Sequence, residues 1–435
     1  MDDATNWAGN YRYHATTLHR PSTVPQVQAI VSSAGSIRAL GSRHSFNDIA
    51  DSHAEQLSLE NLPVGLEIDS ARMTARFGGG ARYGSVAELL HRRGFALQNL
   101  ASLPHISVAG AIATATHGSG DHNQGLAASV TALDLVTASG DLITVERGTT
   151  PGFAGLVVGL GALGVVTAIT VGIEKTYDVC QSVFDDMPWE SLLEHFDEIM
   201  ACGYSVSVFT NWRGAGPGQI WVKSRVATGT AAADAGASIC TADATEAVQR
   251  GDLFGAARAS VARHMIPGVS AENCTVQLGT AGPWFDRLPH FKLGFMPSNG
   301  QEIQSEYLVP RQHATAAIRA LREVGDHLKS ALLIGELRSV AADDLWLSTA
   351  YQQDVIGFHF TWRLDQQAVR AALSHVERAL APFDPRPHWG KVFLTGHDEI
   401  QRRYPRLDDF RRLTEQLDPA GTFRNDYLDR YIFDA

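Results

Sequence analysis

Two short segments place polar side chains opposite apolar ones, in the alternation typical of a β-strand. LIGELR puts Glu336 and Arg338 on one face, and FHFTW puts His359 and Thr361 opposite three aromatic rings. Lys391 adds a cation further along the chain. A carboxylate, a guanidinium, an imidazole and a hydroxyl together suit an uncharged, polyhydroxylated ligand. The alternative is a solvent-facing sheet surface with a salt bridge.

A histidine in a predicted strand-to-turn loop is a second candidate for chemistry. His44 lies between Arg43 and Ser45, just after a predicted strand. A loop histidine can act as a base, a metal ligand or a nucleophile, or be only a hydrogen-bonded surface or core residue. Because no H-x-x-x-H or H-E-x-x-H pattern accompanies it, we expect no metal site.

Residues 101–116 carry no formal charge if the histidine is neutral, and most of them are small. Residues 117–120 continue in the same style. Small residues allow close backbone approach, and successive N–H groups can hold an anion without a lysine. The segment therefore fits a pyrophosphate site, and it fits a tightly packed helix or strand of an Ala/Gly core equally well.

Residues 159–164 match the dinucleotide-binding pattern G-x-G-x-x-G. That pattern binds a dinucleotide only where a strand turns into a helix, and here the next residues, 165–171, are β-branched. We therefore predict a tight glycine turn between two buried strands and not a nicotinamide site. Residues 151–173 have no charge, but their many glycines indicate a buried strand and not a membrane span.

The boundaries of the helices and strands that position these residues can be predicted from the sequence. Capping and periodicity predict helices over 24–33, 85–93, 191–200 and 312–327, strands over 36–40, 131–137 and 142–145, and a surface excursion over 227–248. Up to about residue 175 the sequence predicts short α/β units, and after it Trp-rich strands that alternate with helices. This second region is predicted to end near residue 386.

Composition excludes several classes of function. Of 435 residues, 36 are Lys or Arg and 47 are Asp or Glu, and the net charge of −11 argues against a nucleic-acid or anionic membrane partner. The four cysteines show no C-x-x-C or zinc spacing, which predicts reduced, structural thiols. The first residues lack an apolar stretch, so we expect no secretory signal and a cytoplasmic location.

Six segments, taken in order, resemble the alditol oxidases of the vanillyl-alcohol oxidase flavoprotein family, which are related to aldonolactone oxidases. They are GSRHS (41–45), LASLPHISVAGAIATATHGSG (100–120), LGALGVVTAITV (160–171), GELR (335–338), HFTW (359–362) and HWGK (388–391). The resemblance runs through nearly the whole chain. It implies an α+β, two-domain flavoprotein: a PCMH-type FAD-binding domain over 1–175, a mixed-sheet substrate domain over 176–385, and a C-terminal segment over 386–435 that returns to the first domain.

The resemblance also implies which residues contact FAD, and it selects pyrophosphate binding for residues 101–116. His44 matches the covalent anchor, a ring nitrogen (Nδ1 in alditol oxidases) bonded to the flavin 8α-methyl. The implied contacts are Ala39, Leu40, Gly41, Ser42, Arg43, His44, Ser45, Ser102, Ser107, Gly110, Thr114, Ala115, Thr116, His117, Ile169 and His388. Ala101 occupies the position of the family's oxygen gate.

The implied substrate site contains Ser102, Glu336, Arg338, His359, Thr361 and Lys391. The implied reaction oxidises the terminal hydroxyl of an alditol to the aldose: hydride passes to flavin N5, and O2 reoxidises the flavin to give H2O2. Arg338 and Lys391 would stabilise developing alkoxide charge, and His359 would tune or relay the proton. Lys391 ranks above His359 for direct contact with the reacting oxygen.

The carboxylate of Glu336 disfavours anionic substrates, so xylitol, sorbitol and glycerol are favoured over 2-hydroxy acids. Within the family, the alternative is an aldonolactone oxidase or dehydrogenase. From another class, the alternative is a non-catalytic carbohydrate- or nucleotide-binding protein. No sequence feature indicates an oligomer, so we expect a monomer.

Overall fold

The structure is a computed structural model that describes residues 4–226, 251–295 and 302–433. The predicted excursion over 227–248 lies outside the described residues. The strands are β1 Thr17–His19, β2 Ile37–Leu40, β3 Glu55–Ser58, β4 Glu67–Asp69, β5 Thr74–Gly78, β6 Phe95–Ala96, β7 Gly120–Gln124, β8 Val130–Val136, β9 Leu142–Glu146, β10 Val165–Gly172, β11 Glu174–Lys175, β12 Asp178–Asp185, β13 Ser205–Thr210, β14 Gly218–Arg225, β15 Asp252–Leu253, β16 Ala256–Arg258, β17 Gly282–Pro283, β18 Glu302–Pro310, β19 Leu332–Ala341, β20 Val355–Arg363 and β21 Arg386–Pro387.

The α-helices cover the faces and ends of these sheets. They span Val24–Ser33, Tyr83–Arg92, Val108–Ala113, Phe153–Leu156, Trp189–Glu194, Phe196–Met200, Ala314–Glu323, Gly325–Leu328, Gln366–Leu380, His397–Arg403, Leu407–Leu417 and Asp426–Tyr431. Among the residues described, no helix is both long and apolar enough to cross a membrane.

Local sequence explains the elements of the first part of the chain. Thr23 caps the helix Val24–Ser33 by accepting from Gln26 N at 3.4 Å, as expected of an N-cap threonine. Val27 and Val31, four residues apart, are buried in one apolar cluster. The predicted hairpin is confirmed, because β8 and β9 are antiparallel neighbours in a five-stranded sheet of order β4-β5-β10-β8-β9.

The second part of the chain builds an 11-stranded sheet that carries the predicted polar pairs. Its main path is β15-β16-β12-β14-β13-β19-β20-β18-β21, with β17 paired to β12 and β7 paired to β19. The strands β19 and β20 contain the GELR and HFTW segments, so both predicted strands are confirmed. Because β7 belongs to the N-terminal third, this sheet binds the two parts of the chain together.

The C-terminal tail returns to the N-terminal region. The Ile37 N–H donates to the Thr422 carbonyl at 2.9 Å, and Asn425 Nδ2 donates to the carbonyl oxygens of Asp48 and Asp51 at 3.1 and 2.9 Å. The buried Arg38 also connects the N-terminal region to the tail, because its guanidinium donates to the Phe423 carbonyl at 2.7 Å. The same guanidinium donates to the Gly161 carbonyl at 2.9 Å.

Three details of the sequence prediction are wrong. The helices predicted over 191–200 and 312–327 are each two shorter segments, the first divided at His195 and the second at Val324. The glycine-rich turn over 159–164 does lead into β10, but a short helix precedes it instead of a strand. Cys180 is disulfide-bonded, so it is not a reduced thiol, whereas Cys202 and Cys274 are free and buried.

Candidate active site

A cavity of about 900 Å³ lies between the N-terminal loops and one face of the large sheet. It contains nearly all of the predicted site residues. These are Ala39, Leu40, Gly41, Ser42, Arg43, His44, Ser45, Ala101, Ser102, Ser107, Gly110, Thr114, Thr116, His117, Glu336, Arg338, His359, Thr361, His388 and Lys391. The two exceptions, Ala115 and Ile169, do not line it: Ala115 is buried in the core, and Ile169 is buried in β10 between β5 and β8.

One end of the cavity has walls made largely of main chain and small side chains. Ser42 and Ser107 hold two of these walls together, since each hydroxyl accepts from the other residue's N–H, at 2.9 and 3.2 Å. A side chain on Gly41 would not fit, because its Cβ would lie 2.5 Å from Ser107 Oγ. Such close-packed walls suit a nucleotide held by main-chain groups.

His44 lies in the first of these walls and is held on both sides. Its ring stacks on Trp7, with centroids 4.9 Å apart and planes 15° apart, and its Nδ1 lies 3.1 Å from the Ser42 carbonyl oxygen. Burial lowers the pKa of His44 to about 4, so the ring is neutral at physiological pH. A neutral imidazole keeps one nitrogen with a free lone pair, which a nucleophile requires.

The other end of the cavity is the face of three neighbouring strands. In the register of β19, β20 and β18, Glu336 lies opposite His359, and His359 lies opposite Glu306. Gly357 on β20 leaves room beside this row, because a Cβ there would lie 2.9 Å from Glu306 Oε1. Glu306 was not among the predicted residues.

Glu306 is the central carboxylate of this face and is almost completely buried. Its Oε1 accepts from Arg338 Nη2 at 2.7 Å and lies 3.3 Å from His117 Nε2, while its Oε2 accepts from Lys391 Nζ at 2.7 Å. Burial acts to raise the pKa of Glu306, but the charges of Arg338 and Lys391 outweigh it and hold that pKa well below the usual range. Glu306 is therefore an anion that neutralises and orients two cations.

Glu336 is the second buried carboxylate. It accepts from His290 Nε2 at 2.8 Å through Oε1, and its Oε2 lies 3.6 Å from Arg338 Nε. Although burial acts to raise the pKa of Glu336, Arg338 and His290 hold it well below the ordinary value. Arg338 Nε has no hydrogen-bond partner among the residues that the structure describes. Because Nε is itself shielded from the cavity, the atom left to receive a ligand is Glu336 Oε2, which can accept from a hydroxyl.

His359 faces the same oxygen. Its Nδ1 lies 3.9 Å from Glu336 Oε2, and its Nε2 lies 3.2 Å from Gln304 Oε1. Gln304 turns this oxygen towards the ring because its amide nitrogen donates to Glu302 at 2.7 Å. The proton of a neutral His359 therefore lies on Nε2, which leaves Nδ1 as an acceptor. Burial holds the pKa of His359 well below its usual value.

The loop that carries Lys391 is hydrogen-bonded to the loop that carries His44. Asn47 Nδ2 donates to the carbonyl oxygens of Trp389 and Lys391 at 2.8 and 2.9 Å, and the Phe46 N–H donates to the Gly390 carbonyl at 2.8 Å. The two ends of the cavity are thereby fixed relative to one another. Arg338 Nη1 also donates to Ser102 Oγ at 3.4 Å.

Several residues that complete the site were missed from sequence. Glu302, Gln304 and Glu306 alternate along β18, a period-2 polar pattern that could have identified this strand as a third site wall. The lining residues Trp7 and His290 lie in segments without such a pattern.

The cavity has the chemistry that a flavin dinucleotide requires. A neutral histidine lies in a close-packed wall at one end, and the carboxylates and cations of the sheet strands and of the Lys391 loop lie at the other. This fold and this site define an FAD-dependent oxidoreductase of the vanillyl-alcohol oxidase type. Residues 16–146 match the FAD binding domain family, and residues 295–431 match the D-arabinono-1,4-lactone oxidase family.

Relatives that match the chain over its whole length identify its family within this class of oxidoreductases. The chain is 45% identical over 427 residues to an alditol oxidase of Streptomyces sp., covering 98% of this chain and 97% of that one. It is 27% identical over 450 residues to an L-gulono-1,4-lactone dehydrogenase of Mycobacterium tuberculosis, covering 98% of both. A cholesterol oxidase from B. sterolicum shares the fold, with a TM-score of 0.74 and 15% identity over 98% of this chain and 96% of that one. The chain belongs to the alditol oxidase family.

Proposed function

We propose that this enzyme oxidises the terminal hydroxyl of neutral alditols such as xylitol, sorbitol and glycerol to the aldose, with O2 as the electron acceptor and H2O2 as the second product. The observation that carries the proposal is the convergence of Glu336, Arg338, His359, Thr361 and Lys391 on one cavity, because these polar groups together can hydrogen-bond several hydroxyls of one uncharged ligand.

Charge balance supports a neutral substrate. The sheet face of the cavity sets the carboxylates of Glu306 and Glu336 against the cations of Arg338 and Lys391. A substrate carboxylate would add an unpaired negative charge beside Glu336 in a site with little water. Alditols bring hydroxyl groups alone, so they keep this balance.

The residues of the site divide the work of the reaction. The redox chemistry would be supplied by FAD when bound, as the acceptor of a hydride from the alcohol carbon and the donor of electrons to O2. Glu336, Arg338 and Thr361, with Ser102, hold and orient the hydroxyls. Arg338 and Lys391 stabilise the developing alkoxide, and His359, through its free Nδ1, tunes or relays the hydroxyl proton.

The second candidate is oxidation of an aldonolactone, which the relationship to the gulonolactone dehydrogenase favours. The test compares turnover of xylitol with that of L-gulono-1,4-lactone. Turnover is measured as H2O2 release in air, and reduction of the flavin as loss of its colour without oxygen. We expect kcat/KM to be at least about tenfold higher for xylitol, because a single missing hydroxyl contact costs that much. Higher kcat/KM for the lactone would reverse the assignment. A protein that binds either sugar without bleaching would be a binding module.

We also propose that FAD is covalently attached at His44. Its neutral ring, stacked on Trp7 in the wall of the cavity, supports this role. A bond through Nδ1 would replace the present contact of Nδ1 with the Ser42 carbonyl.

The attachment predicts where the flavin colour goes when the protein is precipitated with acid. In the wild-type protein the yellow colour should stay with the pellet, and in His44→Ala nearly all of it should wash into the supernatant. His122→Ala, which changes an exposed histidine that does not line the cavity, is the matched control and should keep the colour in the pellet. Colour released from the wild type would show that FAD is bound without a covalent bond.

Other features complete the proposal. The division into 1–175, 176–385 and 386–435 agrees with the change of sheet after β11 and with the contacts of the tail to Asp48 and Asp51. Ala101 lines the cavity, as an oxygen gate must. A monomeric state and a cytoplasmic location stay predictions; the latter loses part of its support through the disulfide at Cys180.

A further inference from the structure

A buried lysine lies behind the active-site face of the sheet. Lys223 on β14 is 1% exposed, and no carboxylate of the described ranges forms an ion pair with it. Its Nζ donates to the carbonyl oxygens of Leu288 and Pro289 and lies 3.2 Å from His290 Nδ1. An ammonium group has three N–H donors, and these three acceptors use all of them. Burying such a cation is costly, so its position requires a reason.

The contact with Lys223 decides which nitrogen of His290 carries the proton. Nδ1 faces an N–H donor, so it is the acceptor, and the proton of the neutral ring lies on Nε2. Burial and the charge of Lys223 lower the pKa of His290 to about 4, which keeps the ring neutral. Burial lowers the pKa of Lys223 itself to about 7. The Nε2–H then donates to Glu336 Oε1 at 2.8 Å.

This bond occupies one oxygen of Glu336 and leaves the other for the substrate. The remaining Oε2 is the atom that faces Arg338 Nε and His359 Nδ1 at 3.6 and 3.9 Å. The main chain of His290 holds a further part of the site, since its N–H donates to the Ser102 carbonyl at 3.1 Å. His290 thus contacts Glu336 through its side chain and the main chain of Ser102 through its own main chain.

We propose that Lys223 and His290 are positioning residues: Lys223 fixes the tautomer of His290, and His290 fixes Glu336 so that Oε2 receives a substrate hydroxyl. The part concerning substrate rests on the proposed function. The part concerning the tautomer concerns the resting protein alone, so the two can be tested separately.

The tautomer is tested by ¹⁵N NMR of histidine-labelled protein, in which the His290 signals are identified by their loss in His290→Asn. We expect a neutral ring with the proton on Nε2 at pH 6, where Lys223 is mostly protonated and His290 is neutral, and a changed Nδ1 shift in Lys223→Met. An imidazolium or a proton on Nδ1 would overturn the proposal, whatever the enzyme does with xylitol.

The effect on substrate is tested with a matched pair of variants. The amide of Gln reaches the position of Nε2 and can still donate to Glu336, whereas Asn reaches only the position of Nδ1. We expect His290→Asn to raise KM for xylitol by about 10-fold to 100-fold with a smaller change in kcat, because a hydrogen bond to a charged group is lost, and His290→Gln to restore most of the difference.

A double-mutant cycle separates positioning from a general structural role. If His290 acts through Glu336, His290→Asn should change KM by less than about twofold in a Glu336→Gln background. Equal losses in both backgrounds would overturn the proposal. If the wild type leaves xylitol unoxidised while NMR gives the Nε2–H tautomer, the proposed function fails and the tautomer assignment stands.

Discussion

Replacing Lys391 with methionine is expected to lower kcat for xylitol by about 10²–10³, because a positioned cation that stabilises charge in the transition state is worth that much. Met has nearly the length of Lys and no charge. Lys391 is 13% exposed and contacts one carboxylate, so the change removes its charge and leaves the surrounding packing in place. Arg338→Ala should lower kcat by a similar factor, with an added loss of binding because Arg338 also faces the hydroxyl site.

The control is Lys391→Arg, which keeps the positive charge and can still reach Glu306. We expect this variant to recover at least about tenfold of the lost rate, since electrostatic stabilisation persists with imperfect geometry. Flavin absorbance and the midpoint of thermal unfolding show whether each variant is folded and loaded. Near-normal turnover in Lys391→Met or in Arg338→Ala would contradict the roles proposed for these two cations.

The parts of the fold that follow local rules were predictable from sequence. The helix over Val24–Ser33 has a threonine cap, a proline in its first turn and buried valines four residues apart, and all of these are visible in ten residues. The division of the predicted helix at His195 was not predictable in this way. Its amphipathic pattern continues across the break, and tertiary packing decides where the turn tightens.

Within the site, alternation along β19 and β20 placed Glu336, Arg338, His359 and Thr361 on one face because each strand is buried on its other side. Alternation alone could not identify Glu306 as a central residue of the site. Its importance comes from Arg338 on β19, Lys391 in a distant loop and His117 in the N-terminal region, and the sequence does not show that these three converge. The family resemblance identified the residues expected to bind substrate or take part in the reaction. It did not identify Glu306, the carboxylate that pairs with Arg338 and Lys391.

The disulfide at Cys180 could not be predicted from the sequence. Cysteine spacing excluded a zinc site and a dense disulfide scaffold, but spacing cannot say which two cysteines approach each other in three dimensions. The prediction of reduced thiols therefore failed at Cys180, because pairing depends on the geometry of the folded chain.

Glu306→Gln is expected to produce the second large effect, because it leaves two buried cations without their shared anion. Removing one partner of a buried ion pair typically costs about 3–5 kcal/mol of folding free energy. The folded-state pKa of Glu306 is depressed, so its stabilisation is present at neutral pH and is lost as pH falls through that depressed value. The difference in unfolding free energy between wild type and variant should therefore shrink on acidification.

The same substitution should move the pH profile of kcat/KM. Burial already lowers the pKa of Lys391, and the charge of Glu306 is the largest effect that opposes this. Without that charge the pKa of Lys391 falls further, the protonated cation is lost at lower pH, and the alkaline limb shifts to lower pH. Glu377→Gln is the matched control: this half-buried carboxylate accepts from Tyr307 Oη at 2.6 Å outside the cavity, so the variant should lose stability without a shift of the alkaline limb. An unchanged alkaline limb in Glu306→Gln would mean that Lys391 does not need its positive charge for turnover, and the cation assigned to the developing alkoxide would have to be Arg338 alone.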